Sequence, residues 1–204
     1  MTDRNEPRDG ELLRLTLDRL RAAGVPVSQP PDALDLAVIE ADGARWLFGV
    51  CDNGEAELIY RPAEPGDPRW LADLATVLLT GRPVLAERDP LPARRGELST
   101  KSAVGVDLRH RGFDVELEVH TDDLFFEVSA EVVATDPDSP DEAVVGVGDR
   151  GFLTLRRDFG ERHAVDDPAN PGYLWLPDLP PVAYDIAELV TTVVGCGERR
   201  PRPA

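Results

Sequence analysis

The order of hydrophobic and polar positions opens with a helical pattern. Leu13, Leu17 and Leu20 recur at the spacing that places side chains on one face of a helix, and a Gly-Val-Pro sequence ends the pattern. The spacing predicts a helix over residues 10–23, with Asp9 placed to cap its first turn.

Strand patterns follow this helix. Three short runs of β-type residues lie at residues 34–40, 45–51 and 55–61. They are separated by Asp42-Gly43 and by Asp52-Asn53-Gly54, which are sequences typical of tight hairpin turns. We therefore expect a three-stranded antiparallel meander. A second helix is predicted from Asp67-Pro68, which caps and opens it, to Gly81.

The second half of the chain also combines strand and helix patterns, with a larger share of strand patterns. Its four β-type runs lie at residues 113–120, 124–134, 143–148 and 152–157. Residues 158–181 have a loop-like composition, and a closing helix is predicted over residues 184–195. Residues 82–112 show neither a helical nor a strand period and are rich in Pro, Arg and Gly, so they are predicted to be a linker.

These patterns predict an α+β protein of two related units. Each unit is expected to be a mainly antiparallel sheet of three to four strands packed against helices. The predicted division is a disordered N-terminus at 1–9, a first unit at 10–81, a linker at 82–112, a second unit at 113–197 and a frayed tail at 198–204. Whether the units form one continuous sheet or separate domains stays open, as does the oligomeric state.

An internal repeat supports this division. Residues 46–54 align with residues 143–151, with identical residues at Gly49/Gly146, Val50/Val147, Asp52/Asp149 and Gly54/Gly151. Residues 71–79 align with residues 186–194, with identical residues at Ala72/Ala187, Leu74/Leu189 and Thr76/Thr191. Two blocks in the same order, on the same predicted elements, indicate a duplication.

Two features shared by the halves have a structural and a functional interpretation. The shared Asp-x-Gly could supply a carboxylate to a site, but a hairpin loop requires both residue types for its backbone geometry, and we favour the turn. Gly49 and Gly146 lie inside predicted strands, where a glycine indicates a bulge or the close approach of another backbone.

The composition of the chain argues against some classes of partner. The 204-residue chain is 42% hydrophobic, as in ordinary globular proteins, and its net charge is −17. No cluster of basic residues exceeds a pair, which argues against a nucleic-acid partner. No signal-peptide pattern opens the chain and no apolar run approaches the ~18 residues of a membrane span, so we expect a cytoplasmic protein without a membrane partner. Cys51 and Cys196 are expected to be buried free thiols.

No pattern of catalytic or cofactor-binding residues is found. His110, His120 and His163 lack metal-ligand spacing, and no nucleophile or phosphate-loop motif is present. We predict no enzyme activity, no catalytic residue, no cofactor and no metal site. His163, with Asp166 and Asp167 nearby, is the densest polar cluster and could supply a general base on a long loop, although an exposed loop explains it as well.

The candidate partner-binding residues are aromatic and aliphatic. Tyr173, Trp175 and Leu176 form an apolar run in a loop-rich stretch, which is typical of a contact surface. Trp70, at the start of the second predicted helix, is a further candidate.

The first unit resembles a known fold. Its α-β-β-β-α order, the turn at Asp52–Gly54 and the closing helix over 70–79 are similar to the small chaperone fold shared by type III secretion chaperones and YbjN-like proteins. The resemblance covers residues 10–81, with a partial echo in residues 113–195. It implies a module that binds peptides or proteins through sheet and helix faces, without catalytic residues.

Three functions remain as hypotheses from the sequence. The first is a non-enzymatic polypeptide-binding protein, either chaperone-like or an adaptor. The alternative is an acidic immunity or inhibitor protein that neutralises a basic toxin or nuclease. The third is an enzyme of unrecognised type centred on His163.

Overall fold

The computed structural model describes residues 10–31, 36–41, 44–63, 67–82, 84, 99–122, 127–138, 143–148, 151–168 and 174–197. Several predictions fall outside these residues: the disordered N-terminus at 1–9, the helix cap at Asp9, the turn at Asp42-Gly43, the tail at 198–204 and the candidate contact residue Tyr173.

The described residues of the first half form two helices and four strands. They are α1 (Glu11–Ala22), β1 (Val27–Ser28), β2 (Leu36–Ala41), β3 (Ala44–Val50), β4 (Glu55–Pro62) and α2 (Pro68–Thr80). The described residues of the second half form two helices and six strands. They are α3 (Thr100–His110), β5 (Asp114–Asp122), β6 (Glu127–Thr135), β7 (Val144–Val147), β8 (Leu153–Asp158), β9 (Val165–Asp166), β10 (Leu174–Trp175) and α4 (Leu179–Gly197).

Eight of the strands form one continuous antiparallel sheet. Its strand order is β1-β2-β3-β4-β8-β7-β6-β5, so the last long strand of each half meets the other in the middle. The predicted α+β class is confirmed, and the halves share one sheet. The two short strands β9 and β10 pair with each other in a separate small sheet.

The helices cover one face of the eight-stranded sheet. On β3 and β4 the side chains alternate between buried and more exposed positions, and the buried set includes Trp46, Phe48, Leu58 and Tyr60. Helix α1 packs against α4, and α2 packs against α3. Each of these pairs takes one helix from each half, so the two halves bury their apolar side chains in one common core.

The predicted linker at 82–112 is wrong over its last part, because α3 begins at Thr100. Ser99 caps this helix by accepting a hydrogen bond from Ser102 N. Gly105 lies where a Cβ would come within 2.9 Å of Val132 Cγ1, so the helix packs closely on β6. A helix that contains this glycine and several β-branched residues has little intrinsic preference for its conformation, and its packing against the sheet stabilises it.

Other predicted elements are confirmed with shifted bounds. Helix α2 begins after Asp67, whose Oδ1 accepts hydrogen bonds from Arg69 N and Trp70 N, and ends at Gly81. Helix α4 begins at Leu179, five residues before the predicted start, because Pro180 and Pro181 fall in its first turn, where no donor is required. The duplication itself stays a prediction, although the aligned segments lie on corresponding hairpins and on α2 and α4.

No apolar run close to the length of a membrane span is expected from the sequence, and helix α4 departs from that expectation. Within the part of the chain that the structure describes, the segment Leu179–Cys196 is long and apolar enough, by length and composition alone, to cross a membrane. Half of this segment is buried inside the protein, where α4 packs against α1 and α2. A core helix of a globular protein has the same properties. Cys51 is exposed rather than buried, since it lies at the end of β3 where the chain turns.

Candidate functional site

The hairpin turn between β3 and β4 forms one wall of the candidate site. Cys51 N donates to Glu55 O at 2.8 Å, and Gly54 N donates to Cys51 O at 2.9 Å. Gly54 adopts a φ of +98°, which a residue with a Cβ rarely adopts. The turn predicted from Asp52-Asn53-Gly54 is therefore present, and Gly54 has the backbone conformation that the prediction requires.

Asp52 has a second role that the turn does not explain. Its Oδ2 accepts a hydrogen bond from Gly10 N at 3.0 Å, and its Oδ1 accepts one from Leu12 N at 3.2 Å. Asp52 thus caps the first turn of α1 from another part of the chain, and its negative charge lies where the helix dipole favours it. The turn geometry favoured from the sequence accounts for Gly54, but it accounts for only part of the role of Asp52.

The loop that follows β8 packs directly on this turn. Phe159 N donates to Gly54 O at 3.0 Å. A Cβ on Gly54 would overlap Gly160 Cα and N, and a Cβ on Gly160 would overlap the Asn53 carbonyl oxygen. The two backbones touch without any side chain between them, so both positions require glycine.

A shallow cleft of about 320 Å³ opens where the turn, the loop and β10 meet. Its lining residues are Asn53, Asp158, Gly160, Glu161, Ala164, Trp175 and Leu176. Trp175 is 38% exposed, and it lies directly across the β9–β10 pair from Val165, which is also exposed. Leu176 is buried and forms part of the cleft floor against Gly54.

The cleft places two of the predicted contact residues together and leaves one apart. Trp175 and Leu176 both line it. Trp70 lies near the other end of β4, where its ring centroid is 5.5 Å from that of Tyr60. With about 3.3 Å per strand residue, roughly 20 Å of β4 separates Trp70 from the turn. Trp70 is half-buried against the core, so its main contact is with the protein itself.

His163 has a different partner from those expected. Its Nε2 lies 2.9 Å from Asp185 Oδ2 on α4, and both side chains are half-buried. The predicted neighbours Asp166 and Asp167 belong to β9 and the residue that follows it. The contact with Asp185 ties the loop after β8 to α4, which holds the wall of the cleft in place.

A second candidate surface is the outer edge of β5. This strand is nine residues long and lies at the end of the described strand order, next to β6. Natural proteins commonly protect such edges with charged side chains, especially lysine, with proline, with a bulge or with a short strand, and the charged side chains of β5 are all acidic. The sequence of β5 contains neither proline nor lysine.

The hydrogen-bond alternation across the sheet shows which backbone groups of β5 face outward. Gly148 N donates to Phe152 O at 2.9 Å, and this bond shows which residues of β7 face β8 with their backbone groups and which face β6. Because backbone groups along a strand point alternately to its two neighbours, Val147 must bond to Val132 on β6. The same alternation along β6 determines which residues of β5 bond to it. By this register, the N–H and C=O of Glu116 point inward, toward β6.

The N–H and C=O groups of Val115, Leu117 and Val119 therefore face the outer edge. Arg109 Nη2, from α3, donates to Val115 O at 2.6 Å and occupies the first of these carbonyls. Leu117 is 63% exposed and is the next residue with outward backbone groups. Among the strands that the structure describes, none pairs with this edge.

The two faces of β5 carry different side chains. Asp114, Glu116 and Glu118 are exposed and lie on the face opposite the helices, two residues apart. Val115 and Leu117 lie on the other face. On β6, Glu131 lies directly across from Glu118, which extends the acidic face.

Gly146 is explained by this same acidic face. A Cβ on Gly146 would overlap the Glu131 carboxylate, whose Oε1 accepts a hydrogen bond from Thr154 Oγ1 at 3.0 Å. The Glu131 side chain crosses β7 at the glycine. The close approach predicted at Gly146 is present, but a side chain makes it rather than a backbone.

Among the residues that the structure describes, no group of three or more His, Cys, Asp and Glu side chains could hold a metal ion. The outward groups of β5 were not found from the sequence, because the strand order decides which strand is at the edge. The alternation of acidic and apolar residues in Asp-Val-Glu-Leu-Glu was the available signal.

No family model, no curated protein and no solved structure matches this chain.

Proposed function

We propose that this protein is a non-enzymatic polypeptide-binding protein that holds an extended segment of its partner along β5. The observation that carries the proposal is the row of outward backbone groups at Leu117 and Val119, together with the Val115 N–H, beside an exposed Leu117 side chain. A peptide backbone supplies the complementary donors and acceptors when it adds as a further strand.

The side chains of β5 select the partner. Residues of an added strand lie directly opposite those of β5 and share their faces. Residues opposite Asp114, Glu116 and Glu118 are favoured when they are basic, and residues opposite Val115 and Leu117 are favoured when they are apolar. The preferred segment therefore alternates basic and apolar residues.

The proposal is tested with a blocked synthetic peptide in which lysine and valine alternate. We expect binding by calorimetry and slower hydrogen exchange of the Leu117 and Val119 amides in the complex. The control is a peptide of the same composition with its lysines in one block. Equal binding of both peptides would show that charge alone drives association and would contradict strand addition.

Methylation of the peptide backbone tests the mechanism without altering the protein. N-methylation of the amides that face β5 should weaken binding roughly two- to tenfold for each hydrogen bond removed, whereas methylation of the alternate amides should leave affinity unchanged. On the protein, Leu117→Pro removes an outward N–H and leaves the ladder to β6 intact, and Leu117→Ala keeps that N–H. Weaker binding by Leu117→Pro than by Leu117→Ala is expected.

The alternative function, neutralisation of a basic toxin or nuclease, depends on charge and surface shape rather than on an extended backbone. Its support is the net charge of −17 and the acidic face of β5 and β6. A folded basic protein that bound as tightly as the alternating peptide, with a steep dependence on salt, would favour this alternative.

A further inference from the structure

The cleft beside the β3–β4 turn has an aromatic wall available to a ligand. Trp175 lines it, and its indole makes no hydrogen bond or ring contact with the residues that the structure describes. The face of an indole ring carries negative potential and attracts organic cations. Trp175 therefore offers both apolar contact area and a preference for positive charge.

Two carboxylates line the same cleft. Asp158 Oδ1 accepts hydrogen bonds from Gly160 N at 2.7 Å and Glu161 N at 3.2 Å, which holds the group in place and leaves Oδ2 for a ligand. The exposed Glu161 carboxylate makes no ion pair with the described part of the chain. None of the described residues that line the cleft is basic, so a cation there would meet attraction from both carboxylates.

The size and shape of the cleft favour one kind of cation. About 320 Å³ is at the lower end of the range for small-molecule sites and suits a single side chain. A guanidinium is planar, so it can stack on an indole while it donates two parallel hydrogen bonds to a carboxylate, which an ammonium cannot do. The protein also places one of its own guanidinium groups over an aromatic ring, with Arg157 Cζ 5.0 Å from the Phe159 ring centroid.

We propose that the cleft binds the guanidinium of an arginine side chain carried by the partner polypeptide, with Trp175 as the stacking surface and with Asp158 and Glu161 as acceptors. The source of the arginine rests on the proposed polypeptide-binding function. The chemistry of the cleft does not depend on β5.

Titration with three blocked amino acids tests the cleft directly. The readout is the indole N–H signal of Trp175, assigned by its loss in Trp175→Phe, beside the signals of Trp46 and Trp70. Blocked arginine should shift the Trp175 signal in a saturable manner, blocked lysine should bind more weakly, and blocked citrulline, which is planar but neutral, should not bind. Equal binding of citrulline and arginine would overturn the proposal, and so would no arginine-dependent shift.

Two matched pairs of variants separate the stacking contact from the charge. Measured by calorimetry, because the variant has no indole at this position, Trp175→Leu should weaken arginine binding about two- to fivefold, as the loss of an exposed cation–π contact predicts. Phe152→Leu, which alters an equally exposed aromatic residue on another turn, should leave the affinity unchanged. Glu161→Gln should weaken binding, while Glu40→Gln, at an exposed position on β2, should not. Binding that survives both Trp175→Leu and Glu161→Gln would overturn the assignment.

The two proposals can fail separately. Blocked arginine does not offer a strand to β5, and the alternating lysine–valine peptide contains no arginine. Arginine binding without peptide binding would refute strand addition and leave the cleft assignment intact. Peptide binding with an unshifted Trp175 signal in the arginine titration would refute the cleft assignment alone.

Discussion

The two hairpin turns at the centre of the protein have the same backbone hydrogen bonds and different neighbours. In both, the first residue donates to the fifth, at 2.8 Å in Cys51–Glu55 and at 2.9 Å in Gly148–Phe152. In both, the fourth residue is a glycine with positive φ that donates to the first, at Gly54 and at Gly151. The shared turn sequence therefore gives the same local hydrogen bonds in both turns.

What surrounds the first turn makes it part of a candidate site. Asp52 caps α1, Gly54 touches Gly160, and Asn53 lines the cleft. These contacts come from α1 and from the segment between β8 and α4, which lies far from the turn in the sequence. Phe152, the last residue of the second turn, is instead partly exposed. A turn sequence determines a backbone conformation, and distant segments determine whether it becomes a site.

The largest expected effect that tests this comparison comes from two glycines with positive φ. Gly54→Ala should lower the free energy of unfolding by about 2–5 kcal/mol, because it combines an unfavourable φ with overlap against Gly160. Gly112→Ala, at a glycine with a φ of +94° where an added Cβ would have no atom within 4 Å, should cost about 1–2 kcal/mol from its φ alone. Urea unfolding followed by circular dichroism measures both. Equal losses would contradict the claim that the surroundings of the first turn are special.

The next effect concerns the cap that the first turn supplies to α1. Asp52→Ala should lower the free energy of unfolding by about 1 kcal/mol, because it leaves the Gly10 and Leu12 amides without their acceptor. Asp52→Asn keeps an acceptor oxygen and should cost less. Urea unfolding separates the variants, and a loss in Asp52→Asn as large as that in Asp52→Ala would argue that charge dominates over hydrogen bonding.

A comparable or smaller effect is expected where the loop after β8 joins α4. His163→Ala should cost about 1 kcal/mol and speed proteolysis of the loop, because it removes the contact with Asp185. Asp185→Asn should have a similar effect on proteolysis, while Asp166→Asn, at a sequence neighbour of His163 in the same polar cluster, should not. Faster proteolysis of Asp166→Asn than of Asp185→Asn would contradict the observed pairing.

The smallest effect is expected at the strand pair that joins the two halves. Arg156 Nε lies 3.5 Å from Glu57 Oε1, and both side chains are well exposed. Solvent screens such pairs, so Glu57→Gln should change the free energy of unfolding by less than about 0.5 kcal/mol. A larger loss in urea unfolding would show that this ion pair, rather than the ladder between β4 and β8, contributes to holding the halves together.

Much of the fold could be predicted because its signals are local. The apolar spacing in α1, the Asp67 cap of α2 and the turn at Asp52–Gly54 each depend on a few neighbouring residues. Helix α3 could not be predicted, since packing of Gly105 against β6 compensates for a weak helical pattern. The cleft was found only in part, because Trp175 and Leu176 are visible in the sequence while their neighbours Asn53 and Asp158 come from other elements.

By itself the sequence determined the α+β class, the turns, most of the strands and the absence of basic clusters, since these follow from residue types and their spacing. Only the tertiary structure decided that both halves share one sheet, that β5 is an edge with outward backbone groups, and that Asp52 caps α1. The physical reason is that strand order, edge position and contacts between distant segments result from how the elements bury their apolar faces together.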